Sequence, residues 1–212
     1  MVSATEQELH RVELVRLGLR LEYLTVGWNL AEAAVAVTAG WLAGSIALVG
    51  FGLDSLIESS SGAVLLWRLR ADAARERREL LEARALKLVG ASFFLLAAYV
   101  AFDAVKSLMQ REAPEQSYIG IALAIVSLIV MPLLARAKRR VAAQIKSRAM
   151  HADSRQTDIC AYLSAILLGG LVLNVWLGWW WADPFAALVM APVILKEGWE
   201  ALHGETCSEA CH

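Results

Sequence analysis

Phe51-Gly52-Leu53-Asp54-Ser55-Leu56-Ile57-Glu58-Ser59-Ser60-Ser61-Gly62 is the stretch whose reading decides the fold. It lies inside an otherwise apolar run from Ile46 to Trp67. That run is about 22 residues, enough to cross a bilayer core as a helix rising about 1.5 Å per residue. Two acids interrupt it. A carboxylate at membrane depth costs several kcal/mol, so neither acid is expected to face lipid. Asp54 and Glu58 are i and i+4, which places them on one helix face about 6 Å apart along the axis. Anions that close repel unless a cation or protons sit between them. The pair reads as a site for a divalent metal ion.

The rest of the chain supports a membrane setting. Of its 212 residues 58% are hydrophobic, above the usual share for soluble domains. The formal net charge is only −1, and the charges are clustered so that long apolar windows stay clean. Basic residues fall at span ends rather than on one patch, which argues against nucleic-acid binding. The three cysteines, Cys160, Cys207 and Cys211, make no disulfide framework. Residues 1–20 are charged and polar and lack the apolar core of a signal peptide, so the N-terminus is expected to be retained.

The pattern predicts an all-α membrane protein with six transmembrane helices. Span 1 runs from Leu21 to Trp41, span 2 from Ile46 to Trp67 and span 3 from Ala85 to Leu108. Span 4 runs from Tyr118 to Ala137, span 5 from Met150 to Leu177 and span 6 from Pro184 to Leu202. The expected organisation is a cytoplasmic N-terminal segment (1–20), a six-helix transport domain (21–202) and a short tail (203–212). Arg68, Arg70, Arg75, Arg77 and Arg78 follow span 2, and Arg136, Lys138, Arg139, Arg140, Lys146 and Arg148 follow span 4. Positive residues stay inside, so both basic segments and both termini are expected in the cytoplasm, the membrane being the inner one. Trp41 and Trp179-Trp180-Trp181 would mark the outer interface, and Trp67 an inner one.

Depth links span 2 to span 5. Glu58 precedes Trp67 by nine residues, roughly 13–14 Å, and Asp158 follows Arg148 by ten, roughly 15 Å. Asp158 and Ser154, one turn apart, are therefore candidates to meet the span-2 acids. The competing reading of Asp158 is a helix-start charge at the interface, and of Ser154 a packing contact between helices. Glu32, mid-span near Asn29, is a further candidate ligand or proton relay, against a pair buried for packing. His151 and Asp153 read as surface groups at the cytoplasmic mouth, with His151 placed to receive the ion and both, like Glu32, candidates for an additional metal ligand or proton relay. Asp103 and Asp183, near span ends, read as solvated or capping groups. Gly50, Gly52, Ser59 to Gly62 and Gly169-Gly170 suit close helix contact and favour a site between spans 2 and 5. The tail carries His203, Cys207, Cys211 and His212, thiolate and imidazole groups suited to capturing zinc or a softer ion, with terminal disorder the competing reading.

With an acid pair four apart on span 2, Ser154-x-x-x-Asp158 opening span 5 and Asp183-Pro184 opening span 6, the chain resembles the cation diffusion facilitator transporters. The resemblance covers about residues 15 to 202. It implies a cation-efflux transmembrane domain, a homodimer, and exchange of a divalent metal for protons. It implies Asp54, Glu58, Ser154 and Asp158 as the metal ligands. Zinc-moving members usually carry histidine at the position of Ser154 and aspartate at that of Glu58. The chain also ends after span 6, which resembles the short branch without the cytoplasmic metal-binding domain; dimer contacts would then come from membrane helices.

The expected function is efflux of a divalent cation by proton antiport, without enzymatic activity. Zinc is the family's commonest cargo; cadmium, cobalt, iron and manganese are the other candidates, and an oxygen-rich site suits harder ions such as manganese. The alternatives are a membrane-embedded metal-dependent hydrolase, against which no HExxH or GxSxG motif is present, and a membrane protein that senses metal through the tail.

Overall fold

The computed structural model describes residues 4–70, 75–111, 114–145 and 148–203. They form six helices: α1 (Ala4–Ala43), α2 (Ile46–Arg70), α3 (Arg75–Gln110), α4 (Tyr118–Ile145), α5 (Arg148–Leu177) and α6 (Ala182–His203). Gly90–Gln110, Tyr118–Ile145 and Asp153–Leu177 are long and apolar enough to cross a membrane by length and composition alone. The expected spans coincide with these helices, but two helices run well past the apolar windows. α1 spans 40 residues, roughly 60 Å, twice a bilayer core. α3 likewise takes in the polar stretch from Arg75. Both extensions are rich in Glu, Arg, Leu and Ala, which hold a helix in water as well as in lipid, so hydropathy marks the span and not the helix end.

The helix ends are set by local chemistry. Gly44 takes φ 65° after α1, and the Ser45 N–H donates to the Gly40 carbonyl at 3.0 Å, closing the helix in the left-handed turn that glycine permits. The Ser45 hydroxyl accepts from the Leu48 N–H at 3.1 Å and caps α2. Ser117 caps α4 in the same way through the Gly120 N–H. Asp183, in the first turn of α6, caps α2. Fully buried, it accepts from the Ser45 hydroxyl and from the backbone N–H of Ile46 at 2.9 Å, pinning the start of α6 to the start of α2. Of the two roles expected for it, capping holds and solvation does not.

Three antiparallel pairs, α1–α2, α4–α5 and α3–α6, make the tightest contacts. α1 also packs on α4, α5 on α6, and α2 on α3, α5 and α6, which leaves α2 at the centre. The core mixes small, aliphatic and aromatic side chains, among them Ala36, Leu48, Phe51, Val100, Ala124, Leu163, Leu167 and Met190. Large apolar side chains such as Leu42, Leu95, Phe102, Met109, Ile119 and Tyr162 point outward, as a lipid solvent allows. Trp41 and Trp176 are about four-fifths exposed and lie near the end where α1 and α5 finish, marking an interface of the bilayer.

The glycines serve contacts other than the one expected of them. A Cβ on Gly52 would lie 2.9 Å from the Ala36 Cβ of α1, and one on Gly50 would meet Val100 of α3. Gly170 faces Ala186 of α6, and Gly169 faces open space. Close approach is therefore used between α1 and α2, α2 and α3, and α5 and α6, and not between α2 and α5.

Candidate functional site

The acids of α2 lie inside the bundle. Asp54 is 5% exposed and Glu58 4%. Glu32 of α1, 1% exposed, joins them: Asp54 lies in the electrostatic field of Glu32, and Glu58 in those of Asp54 and Glu32. Helix periodicity brings this about. Glu32 lies on the buried face of α1 with Thr25, Asn29 and Ala36, at intervals of four and three. The Ser55 hydroxyl donates to Glu32 Oε2 at 2.8 Å and ties α2 to α1 at this level. From α5 the Cys160 thiol points at the same oxygen, 3.8 Å away, and lies beside Glu58 as well. Trp28 and Ser127 complete the surroundings of Glu32.

This cluster is short of cations. Glu32 Oε1 and both carboxylate oxygens of Glu58 have no hydrogen-bond partner among the described residues. An ionised carboxylate left so in a dry interior costs several kcal/mol, so the group must take up protons or a cation. Among the described residues no three His, Cys, Asp or Glu side chains stand close enough to hold a metal ion as a ready-made set. The cluster gathers negative charge in a shielded interior.

Span 5 contributes a different face from the one expected. Ser154 and Asp158, expected to meet Asp54 and Glu58, have other partners in this structure. The Asp158 carboxylate is partly exposed and bound to the Arg139 guanidinium of α4 at 2.7 Å. Ser154 is buried, but its hydroxyl donates to the carbonyl of His151 one turn back at 2.6 Å. At about 100° per residue Asp158 points about 160° away from Cys160 around the helix. The inward line of α5 is Asp153, Thr157, Cys160 and Ser164, all buried. Spacing along the chain speaks to depth and not to rotation, which is why it did not anticipate the Asp158–Arg139 pair. His151 lies on the Asp158 side, half-buried.

Asp153 is the second correction. Expected at the cytoplasmic mouth, it is buried and bound to Lys138 of α4, which itself is fully buried rather than part of a solvated basic segment. Glu22, at the edge of what reads as the polar N-terminal segment, is the third partner, its Oε2 2.9 Å from Lys138 Nζ. Glu58 lies within the field of both Lys138 and Asp153. Glu197 of α6, not singled out from the sequence, is also electrostatically coupled to Asp54 and Glu58. One signal pointed to Lys138. Gly120, Ala124, Ser127, Met131, Ala135 and Lys138 recur at intervals of three and four, one continuous buried face. His203, Cys207, Cys211 and His212, the tail groups expected to capture metal, lie outside the residues whose side chains the structure describes.

Six packed helices, lipid-facing apolar surfaces and buried acids at their centre define a multi-pass membrane protein built to handle cations. Residues 84–203 match the cation efflux transmembrane domain, more than half of the chain, and the protein belongs to that family of transporters. It is 28% identical over 201 residues to an uncharacterised transporter of Synechocystis sp., an alignment covering 91% of this chain and 64% of the relative. It is 26% identical over 198 residues to transmembrane protein 163 of Xenopus laevis, covering 92% and 70% respectively. It is 25% identical over 188 residues to a cadmium, cobalt and zinc/H(+)-K(+) antiporter of Bacillus velezensis, covering 83% and 56%. The chain thus spans just under two thirds of the Synechocystis relative's length and just over half of the antiporter's.

Proposed function

We propose that this protein exports a divalent metal ion, zinc before the others, across the cytoplasmic membrane in exchange for protons. One observation carries the reading. Glu32, Asp54 and Glu58 share a buried centre, and three of their carboxylate oxygens have no partner there among the described residues. Such a centre is stable in two conditions, with its acids protonated or with a doubly charged cation among them. Alternation between those conditions is metal–proton antiport, provided that the two orientations of the carrier differ in affinity for the two cargoes. Glu32 joins Asp54 and Glu58 as a proposed ligand, and Cys160 takes the part first expected of Ser154 and Asp158. A thiol beside carboxylates favours zinc and cadmium over manganese. The named antiporter of Bacillus velezensis, a relative, supports this cargo class.

On this reading the basic ends of the helices face the cytoplasm, and the end bearing Trp41 and Trp176 faces outward. Two copies would pair through membrane helices. The deciding experiment is flux into proteoliposomes with an imposed pH step, run over a panel of divalent ions. Metal should move toward the acidic side, and reversing the step should reverse the flux. Metal movement indifferent to the step would overturn proton coupling. No movement of any ion in the panel by well-inserted protein would overturn the function.

A further inference from the structure

We propose that Glu22, Lys138 and Asp153 form a charge clasp that closes one end of the acid-lined centre, and that the transport cycle must open it. The inference rests on the transport reading above. Its three members come from α1, α4 and α5. The Lys138 ammonium lies 2.9 Å from Glu22 Oε2 and hydrogen-bonds to Asp153 Oδ2. Lys138 and Glu22 are both fully shielded. The fourth helix of the junction is α2: a Cβ on Gly62 would fall 2.6 Å from Glu22 Oε1, so glycine is what lets the carboxylate pass there. Gly62 is one turn beyond Glu58. The clasp therefore adjoins the acid pair, on the side where α2 ends and α5 begins, and it fills the junction of α1, α2, α4 and α5.

Stability alone is a poor reason for such an arrangement. Three buried charges are usually worth less than apolar side chains of the same size, whereas removing one partner leaves a costly unpaired charge. That asymmetry suits a contact that has two alternative states. Lys138 also acts electrostatically on Glu58, so a cation reaching Glu58 and the tethered ammonium repel each other. An ion at the centre and the position of the clasp are coupled by that repulsion.

Cys160 reports on the clasp. It lies two turns past Asp153 on the same face of α5, about 10 Å further in, and is 1% exposed. With Cys207→Ser and Cys211→Ser, Cys160 is the sole thiol of the chain. The rate of its reaction with a membrane-impermeant maleimide is then measured from each face of oriented vesicles. Lys138→Gln should raise the rate about tenfold from the face bearing the basic segments and leave the other face unchanged. Lys138→Arg, which keeps a cation between Glu22 and Asp153, should hold the rate near that of the parent. Unchanged labelling, or equal acceleration from both faces, would overturn the clasp. Should Lys138→Gln fail to fold, Glu22→Gln, Lys138→Gln and Asp153→Asn combined remove all three charges together and are held to the same outcomes. PH-driven flux with unchanged labelling sinks the clasp alone. One-sided acceleration in a protein that moves no metal leaves the clasp standing and sinks the transport reading.

Discussion

Two groups of buried acids lie one above the other in this bundle, and they are served differently. Glu22 and Asp153 share the ammonium of Lys138. Glu32, Asp54 and Glu58, one turn and more away, receive one hydroxyl and one thiol and no cation from the described residues. The chain supplies its own positive charge to the lower group and withholds it from the upper. A carboxylate with a tethered cation is settled for as long as the cation stays. A carboxylate without one depends on something that comes and goes, and that is what a carrier requires.

The largest effect expected is at the upper group. Asp54→Asn should lower metal flux about a hundredfold while the protein still inserts, since it removes one of the three negative charges that offset a doubly charged cargo. Wild-type flux would erase the distinction between the two groups. Glu32→Gln should weaken apparent metal affinity about tenfold, read from the concentration dependence of flux; an unaffected variant would confine the cargo to α2. Cys160→Ser should leave total flux within about threefold but shift preference from cadmium toward manganese, because a soft ligand is exchanged for a hard one. An unshifted ion panel would remove Cys160 from the cargo's surroundings. The smallest effect belongs to Asp158→Asn. A partly exposed pair with Arg139 contributes about 1 kcal/mol or less, so flux and thermal stability in detergent should stay within about twofold and about 2 °C of wild type. A loss as deep as that of Asp54→Asn would mean that α5 turns to bring Asp158 inward during the cycle.

The sequence conveyed the architecture better than the rotation of its helices. Six apolar windows became six helices because a bilayer demands continuous apolar length, and length is visible in one dimension. The pairing of Asp54 with Glu58 was legible because both lie on one helix. Glu32 was legible as an intramembrane acid, though not as the partner of Ser55. Facing was harder. Asp158 pairs with Arg139 of α4, and only packing of α5 against α2, α4 and α6 decides that azimuth. Glu22 and Lys138 were hidden by their neighbours, since Arg20 and Arg139 beside them make charge the local norm. The spacing of small residues along α4 held the clue that charge counting obscured.

Gly40 and Gly52 bring α1 and α2 to near backbone contact at two levels: a Cβ on Gly40 would lie 2.8 Å from the Val49 nitrogen, and one on Gly52 2.9 Å from the Val37 nitrogen. Helices fused along such a seam travel as one piece. On the proposed transport reading, Glu32, Asp54 and Glu58 ride on that piece and keep their mutual spacing as the carrier changes orientation. On that same reading the variable wall is the α4–α5 hairpin, bearing Cys160, Lys138 and Asp153, whose lean would set how tightly a passenger is held.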